Sequence, residues 1–157
     1  MLDIFYKKEN LIIENSDKKW ISFNINTKEV FLEDYNVSFP GEYEKSAILL
    51  EVKKYKENLY YNFLIDGKHI VIITEDNIEL KEEISDFFWD VDLLIIIGSK
   101  DACKLFESIE AKIVLPYGES KDIFLNTLWQ HCEEVEKYKQ KWELPIDNTE
   151  FINLKLG

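Results

Sequence analysis

Only four side chains in this sequence are histidine or cysteine, the residue types on which zinc sites and many nucleophilic sites depend. They are His69, His131, Cys103 and Cys132. A catalytic zinc ion needs about three protein ligands that meet at one point, and the spacing of these four residues matches no zinc motif. We therefore interpret the histidines as surface or partly buried side chains. Both cysteines fall on apolar stripes of predicted helices, which indicates buried free thiols.

Carboxylates and hydroxyls offer a second kind of chemistry. Glu75 and Asp76 follow an apolar run, at the carboxyl end of a predicted strand, where α/β folds tend to place their sites. They are the best site candidates, although solvated carboxylates near the start of a helix are the simpler interpretation. Ser99 and Ser120 lack a Gly-x-Ser-x-Gly elbow or a histidine at motif spacing. We interpret both serines as helix caps and assign no catalytic residue.

The charge of the chain argues against polyanionic partners. The formal net charge is −12, and all 19 basic residues are lysine. Arginine is the usual residue for bidentate phosphate recognition, so we expect no binding to nucleic acid. No apolar run approaches the ~20 residues that cross a bilayer, and the first residues do not resemble a signal peptide. We expect no membrane association, a cytoplasmic location and one domain over residues 1–157.

The first half of the chain has the pattern of a β-structure. Short aromatic and β-branched runs alternate with turn residues. The predicted strands cover residues 2–6, 11–14, 20–25, 29–32, 47–53, 59–65 and 69–74. Asp66-Gly67 is the sharpest hairpin signal, and Pro40-Gly41 indicates another turn.

After residue 75 the pattern changes to alternating helices and strands. Residues 93–97 and 112–115 are continuous apolar runs, as expected of strands that are covered on both faces. Three apolar stripes at helical spacing precede, separate and follow these two runs. The stripes are Leu80, Ile84, Phe87 and Phe88; Ala102, Leu105, Phe106 and Ile109; and Phe124, Leu128 and Cys132. Late strands are predicted at 134–138 and 151–154. Strands followed by βα units predict an α/β fold with helices layered on sheets.

Five segments carry a resemblance to a known family. They are Phe-Pro-Gly-Glu-Tyr-Glu at 39–44, Asp-Gly at 66–67, Ile-Val-Ile-Ile-Thr-Glu-Asp at 70–76, Val-Asp-Leu-Leu-Ile-Ile-Ile-Gly at 91–98 and Ile-Glu-Ala-Lys-Ile-Val-Leu-Pro-Tyr-Gly at 109–118. Their order and spacing resemble small single-domain zinc-dependent hydrolases of the metallo-β-lactamase superfamily, over roughly residues 37–154. The resemblance implies a reduced form of the layered αββα sandwich, with N-terminal hairpins and C-terminal βα units.

The metal ligands of that family have no counterparts here. In the His-Leu-Gly-Asp signature of the family, Ile72 takes the place of the histidine, Thr74 of the glycine and Glu75 of the aspartate. Gly118 takes the place of the last histidine ligand. The loop that carries the His-x-His-x-Asp-His motif is deleted, since the segment of residues 24–39 is too short to include it and contains no histidine. We therefore expect no metal and no cofactor.

The resemblance without its ligands predicts a catalytically inactive domain that serves as a binding or scaffold module. One alternative is a divergent hydrolase whose metal is held by carboxylates, for which Glu75, Asp76 and Glu119 form an acidic remnant of the site. Carboxylates alone suit Mg²⁺, Mn²⁺ or Ca²⁺ better than zinc. Another alternative is a regulatory subunit that docks on an active relative.

Loss of the active-site loop also predicts a surface for self-association or a protein partner. Tyr55, Tyr60, Tyr61 and Phe63 lie on one predicted strand and the turn before it. Aromatic residues are enriched in the cores of interfaces. The opposite interpretation is that this strand faces inward and its tyrosines belong to the core.

Overall fold

The computed structural model of the protein describes residues 1–78, 82–140 and 148–156. Two β-sheets face each other across a shared core, and short helices pack on the other face of the second sheet. In chain order, the strands are β1 (Leu2–Lys7), β2 (Asn10–Asn15), β3 (Trp20–Asn24), β4 (Val30–Leu32), β5 (Tyr35–Val37), β6 (Gly41–Lys45), β7 (Ile48–Tyr55), β8 (Asn58–Ile65), β9 (Lys68–Ile73), β10 (Val91–Ile97), β11 (Ala111–Tyr117), β12 (Glu134–Val135), β13 (Lys137–Gln140), β14 (Glu150–Phe151) and β15 (Asn153–Leu154). The helices are α1 (Glu82–Ser85), α2 (Ala102–Glu107) and α3 (Lys121–Thr127), and a 3-10 turn spans Asp86–Phe88.

The first sheet is antiparallel, with the strand order β13-β1-β2-β3-β4-β5. Its sequence alternates with the period of two that a half-buried strand requires. In β1, Leu2, Ile4 and Tyr6 are buried in the core between the sheets, whereas Asp3 and Phe5 point to the outer face. The predicted N-terminal strands are therefore confirmed.

The second sheet is mixed, with the order β14-β11-β10-β9-β8-β7-β6, and β9, β10 and β11 run parallel. Leu93 and Ile95 of β10 face the first sheet, and Leu94 and Ile96 face the helices. Burial on both sides explains why this run is continuously apolar. Parallel strands place their carboxyl ends at one edge of the sheet, which is where the candidate site lies.

The hairpin predicted at Asp66-Gly67 is confirmed. Ile65 of β8 pairs with Lys68 of β9, so the turn between them has two residues. Asp66 has φ +52° and Gly67 has φ +75°. Two residues with positive φ are what a tight hairpin turn of this type requires.

The expected αββα layering is correct only in part. The described residues are mostly β, and every helix among them packs against the second sheet, in a cluster with Val71 and Val114. The order of layers in this part of the chain is therefore sheet, sheet, helices, because the N-terminal half folds entirely into hairpins. None of these helices is long and apolar enough to cross a bilayer.

Several predicted boundaries differ from the structure. The third helix ends at Thr127, and Trp129 has φ +59°, so His131 and Cys132 follow the helix instead of lying on it. Residues 41–45 form the edge strand β6, which was expected only as a turn. Edge strands need little apolar alternation, which is why β6 gave no strand signal. Leu80, the first residue of the first predicted helical stripe, lies outside the described residues.

Candidate functional site

The carboxyl ends of β9 and β11 meet the turn between β3 and β4 at one edge of the core. The ring of Phe23 from β3 packs edge-on against the ring of Tyr117 from β11, with 5.1 Å between centroids. The hydroxyl of Tyr117 donates a hydrogen bond of 3.0 Å to the carbonyl of Ile73, the last residue of β9. Tyr117 and Phe23 are both buried. Aromatic packing and one hydrogen bond therefore close this edge of the core.

The turn between β3 and β4 places a lysine over this edge. The Asn24 side chain accepts hydrogen bonds of 2.9 Å from the backbone N–H groups of Asn26 and Thr27. The backbone N–H of Lys28 donates to the carbonyl of Asn24 at 2.8 Å. Lys28 has φ +66°, which completes the tight reversal of the chain. Asparagine stabilises such turns because its side chain replaces a backbone acceptor.

Lys28 and Tyr117 form a cation–π contact. The Lys28 Nζ atom lies 4.6 Å from the centroid of the Tyr117 ring. Burial lowers the pKa of Lys28, and the negative charge of Glu75 opposes that shift. Burial also raises the pKa of Tyr117, with smaller contributions from Glu75, Tyr6 and Asp76. Tyr117 therefore stays protonated at neutral pH and cannot act as a general base.

The three candidate carboxylates have different surroundings. Glu75 and Glu119 are exposed, and Asp76 is half-buried. The Asp76 Oδ2 atom accepts a hydrogen bond of 2.8 Å from the hydroxyl of Ser99, whose oxygen accepts one of 3.1 Å from the N–H of Ala102 at the start of α2. Asp76 therefore orients a helix cap. The Ser99 hydroxyl thus accepts from the first N–H group of α2, as a capping side chain does, although Asp101 is the residue directly before the helix. The Ser120 side chain makes no capping hydrogen bond to α3.

The histidines and cysteines are dispersed. The His69 Nδ1 atom lies 3.4 Å from the Asn62 Oδ1 atom on the helix side of the second sheet, and His131 is exposed. Cys103 is buried and Cys132 is half-buried. Burial raises the pKa of both thiols, and the charge of Glu107 raises that of Cys103 further. Neither cysteine is therefore a thiolate at neutral pH, the form that a nucleophile or a metal ligand requires.

Comparison with known proteins supports the assignment of the fold. No protein-family model matches the sequence, and no curated protein sequence matches it. A crystal structure of a Thermotoga maritima protein, described as a "putative zn-dependent hydrolase of the metallo-beta-lactamase superfamily", matches with a TM-score of 0.71. The match covers 98% of this chain and 99% of that chain, at 16% sequence identity. This chain has the metallo-β-lactamase fold.

Zinc, which the description of that protein names, does not fit the residues at the edge where β9 and β11 end. Within residues 1–78, 82–140 and 148–156, no three His, Cys, Asp or Glu side chains converge as a metal site would require. Ile72 is buried in the core between the sheets, and Gly118 has no side chain to offer. The ammonium of Lys28 lies at this edge, and the negative charge of Glu75 acts on it.

The predicted aromatic surface is not an exposed face of this metallo-β-lactamase fold. Tyr61 and Phe63 are buried between the two sheets. Tyr60 points to the opposite face, where its ring packs edge-on against Phe88 at 5.8 Å, and Tyr55 is partly buried at the same cluster. Successive residues of a strand point to opposite faces, and both faces of this sheet are covered here. The four residues therefore belong to two cores and share no surface.

Lys28 and Tyr117 are the residues at this edge that the sequence analysis did not assign to a site. The only local signal was the Asn24–Thr27 turn, which predicts a reversal of the chain but not the contact that the reversal produces. Lys28 and Tyr117 lie on different sheets, far apart in the sequence.

Proposed function

We propose that the protein is a catalytically inactive domain with the metallo-β-lactamase fold, retained as a binding or scaffold module. The observation that carries the proposal is the set of side chains at the edge where β9 and β11 end. This edge holds the Lys28 ammonium, the packed rings of Phe23 and Tyr117, and the hydrogen bond from Tyr117 to Ile73. A metal site at this edge would need ligand side chains in their place.

Among the described residues, the side chains at this edge also offer no set of groups that could hold a metal ion for hydrolysis. A metal-dependent hydrolase polarises its substrate and lowers the pKa of a bound water through an ion held by the protein. The Asp76 carboxylate accepts a hydrogen bond from Ser99, and the charge of Glu75 acts on the Lys28 ammonium. The Lys28 ammonium carries only a single charge and has no coordination position for water, so it cannot replace a divalent ion in that role.

A hydrolysis assay tests this proposal. The protein is incubated with Zn²⁺, Mn²⁺ or Mg²⁺ and with model phosphodiester, β-lactam and thioester substrates. The double variant Glu75→Gln, Asp76→Asn is the matched control, because it removes the two carboxylates that follow β9. We expect rates equal to the background in both proteins. Metal-dependent turnover in the wild type that disappears in the double variant would establish a carboxylate-based hydrolase and would refute the proposal.

A further inference from the structure

We propose that the edge strand β6 binds an extended, basic segment of another protein as an added β-strand. This proposal rests on the binding role proposed above, and it names the surface and the chemistry of the partner. β6 is the last strand of the second sheet, and within the described residues it pairs only with β7. A strand with one free edge presents unpaired N–H and C=O groups to which another strand can add.

The pairing of β6 with β7 determines which backbone groups are free. The turn between these strands has two residues of positive φ, and Lys45 pairs with Ile48 across it. The residues that close such a turn exchange hydrogen bonds, and bonded and non-bonded pairs then alternate along the two strands. Glu42 and Glu44 lie in non-bonded pairs, so their N–H and C=O groups point away from β7. These are the groups that an added strand would bond.

A groove lies on each face of the sheet beside β6. The helix-side groove has a volume of about 290 Å³, and Leu49, which is 43% exposed, lines it. The inter-sheet groove, of about 510 Å³, lies between β6 and β5, the edge strand of the first sheet. Tyr35, which is 52% exposed, lines this second groove together with Tyr43. Successive side chains of an added strand point to opposite faces, so they would enter the two grooves in turn.

The charge of the two grooves favours a basic partner. Their lining includes four carboxylates and one lysine, which are Asp34, Glu42, Glu44, Glu51 and Lys45. Lys45 already forms a salt bridge with Asp34. Lys53, the next cation along β7, lines neither groove. Four negative charges and one positive charge leave a net charge of −3, with His69 of the helix-side groove counted as neutral.

Two of the glutamates face each other across the strands. Glu42 of β6 lies directly opposite Glu51 of β7, and like charges at such opposed positions are destabilising. No salt bridge within the described residues joins Glu42, Glu44 or Glu51 to a cation. Lysine or arginine side chains of an added strand would lie beside these glutamates on the same face and would relieve the repulsion.

The same side chains disfavour a second copy of this chain as the partner. An antiparallel pair of β6 strands would form its backbone hydrogen bonds between Glu42 of one copy and Glu44 of the other. Glutamates from both copies would then meet, in two chains that each carry a net charge of −12. Charged side chains on an edge strand prevent such self-pairing. The charge of the edge therefore fits a basic segment and not this chain.

The geometry of the edge also predicts the residue pattern of the partner. Residues directly opposite each other in paired strands point to the same face. The residues opposite Glu42 and Glu44 would therefore be basic, and the residue between them would contact Tyr43 and Tyr35 in the inter-sheet groove. We expect this middle residue to be β-branched or aromatic. Because only two residues of β6 offer free backbone groups, the binding would be weak and reversible.

Fluorescence anisotropy with a labelled peptide that alternates lysine and valine tests the proposal. Two further peptides carry N-methyl groups either on the lysines or on the valines. All three peptides have the same charge, but only the lysine N–H groups would bond to β6, because the lysines lie opposite Glu42 and Glu44.

Two double variants of the protein test the role of charge. Glu42→Gln, Glu44→Gln removes the acidic side chains of β6. Glu133→Gln, Glu136→Gln is the matched control, because it changes the net charge equally at exposed positions on either side of β12. Circular dichroism verifies the fold of each variant.

We expect the unmodified and the valine-methylated peptides to bind alike. The lysine-methylated peptide should bind about tenfold more weakly, because it cannot donate the backbone hydrogen bonds. Glu42→Gln, Glu44→Gln should weaken binding of the unmodified peptide by about fivefold, the effect of two exposed ion pairs, and the matched control should bind like the wild type. Added salt should weaken the binding, because it screens these charges.

Four results would overturn the proposal. They are no binding of the unmodified peptide at high micromolar concentration, equal affinity of the two methylated peptides, equal effects of the two double variants, and a wild-type dimer that the peptide dissociates. The last result, measured by sedimentation velocity, would assign the edge to a second copy. All four concern binding alone, so they are distinct from the metal-dependent turnover that would refute the lack of catalysis.

Discussion

The ammonium nitrogen of Lys28 lies 4.6 Å from the centroid of the Tyr117 ring, at the edge where two parallel strands end. A contact of this kind contributes about 0.5 to 1 kcal/mol at a partly exposed site. Its position matters more than its strength. It joins the turn between β3 and β4 to the end of β11, and it places a positive charge near Glu75.

The titration of Lys28 gives the first prediction. Burial lowers its pKa from the ordinary 10.5, while Glu75 acts in the opposite direction. We expect Lys28 to titrate below 10.5 in an NMR experiment on labelled lysine side chains. Glu75→Gln should lower the midpoint further, because it removes the charge that favours the ammonium, and Glu119→Gln should leave it unchanged. A midpoint that stays unchanged in Glu75→Gln would show that Glu75 does not act on Lys28.

Substitution of Asp76 gives the second prediction. Asp76→Ala removes the acceptor that orients Ser99, so the cap of α2 is weakened. We expect a loss of about 1 kcal/mol in the free energy of unfolding, measured by urea denaturation. Ser99→Ala should cost a similar amount, and the double variant should cost less than the sum, since both changes break one network. Glu119→Ala, at an exposed position, should change stability by less than about 0.5 kcal/mol. Equal effects of Asp76→Ala and Glu119→Ala would contradict the capping role.

Much of the fold could be predicted from the sequence because its signals are local. Asp66-Gly67 specifies a turn by the φ values it permits, and the continuous apolar run at 93–97 requires cover on both faces. The third helix was predicted too long, because Leu128 and Cys132 continue the helical spacing of Phe124. Spacing cannot reveal that the backbone reverses at Trp129.

The candidate site was less predictable, because it depends on contacts between distant segments. Motif positions such as Ile72 and Gly118 indicated which ligands are missing, but not what stands in their place. Lys28 contacts Tyr117 from the other sheet, and the spacing of apolar residues along the sequence does not predict such a contact. The sequence also could not show which face of the sheet Tyr60 and Tyr61 point to. A strand that is covered on both faces has apolar residues at alternate and at intervening positions, so the two faces look alike in the sequence.

Stability at alkaline pH gives the third prediction. Burial raises the pKa of Tyr138 from 10.0 to about 12, with Glu150 acting in the same direction, and burial also raises those of Tyr6 and Tyr117. The unfolded chain loses these protons first, so their contribution is fully present below pH 10 and is lost as the pH rises through the folded values. We expect the free energy of unfolding to fall above pH 10, and Tyr138→Phe to make that fall less steep. A wild-type stability that stays constant up to pH 12 would contradict this explanation.

Packing at Gly98 gives the fourth prediction. A Cβ atom at this position would lie 2.4 Å from the Cα atom and 2.7 Å from the backbone nitrogen of Lys121, at the start of α3. Gly98→Ala should therefore displace α3 from the end of β10 and cost about 3 kcal/mol or more. Gly118→Ala is the control, because its φ of +98° strains an alanine but no atom lies within 4 Å of the new Cβ. We expect it to cost roughly 1 to 2 kcal/mol. If Gly98→Ala melts at the wild-type temperature, the close contact between Gly98 and Lys121 is contradicted.

The zinc content of the purified protein tests the central claim most directly. The chain is incubated with excess zinc, dialysed and analysed for metal by mass spectrometry, with its melting temperature recorded before and after a strong chelator. We predict far less than one zinc ion per chain and a melting temperature that the chelator leaves unchanged, since an ion bound only by the native state would raise stability by mass action. One zinc ion retained per chain, with a melting temperature that falls on chelation, would contradict the proposal that this domain binds no zinc.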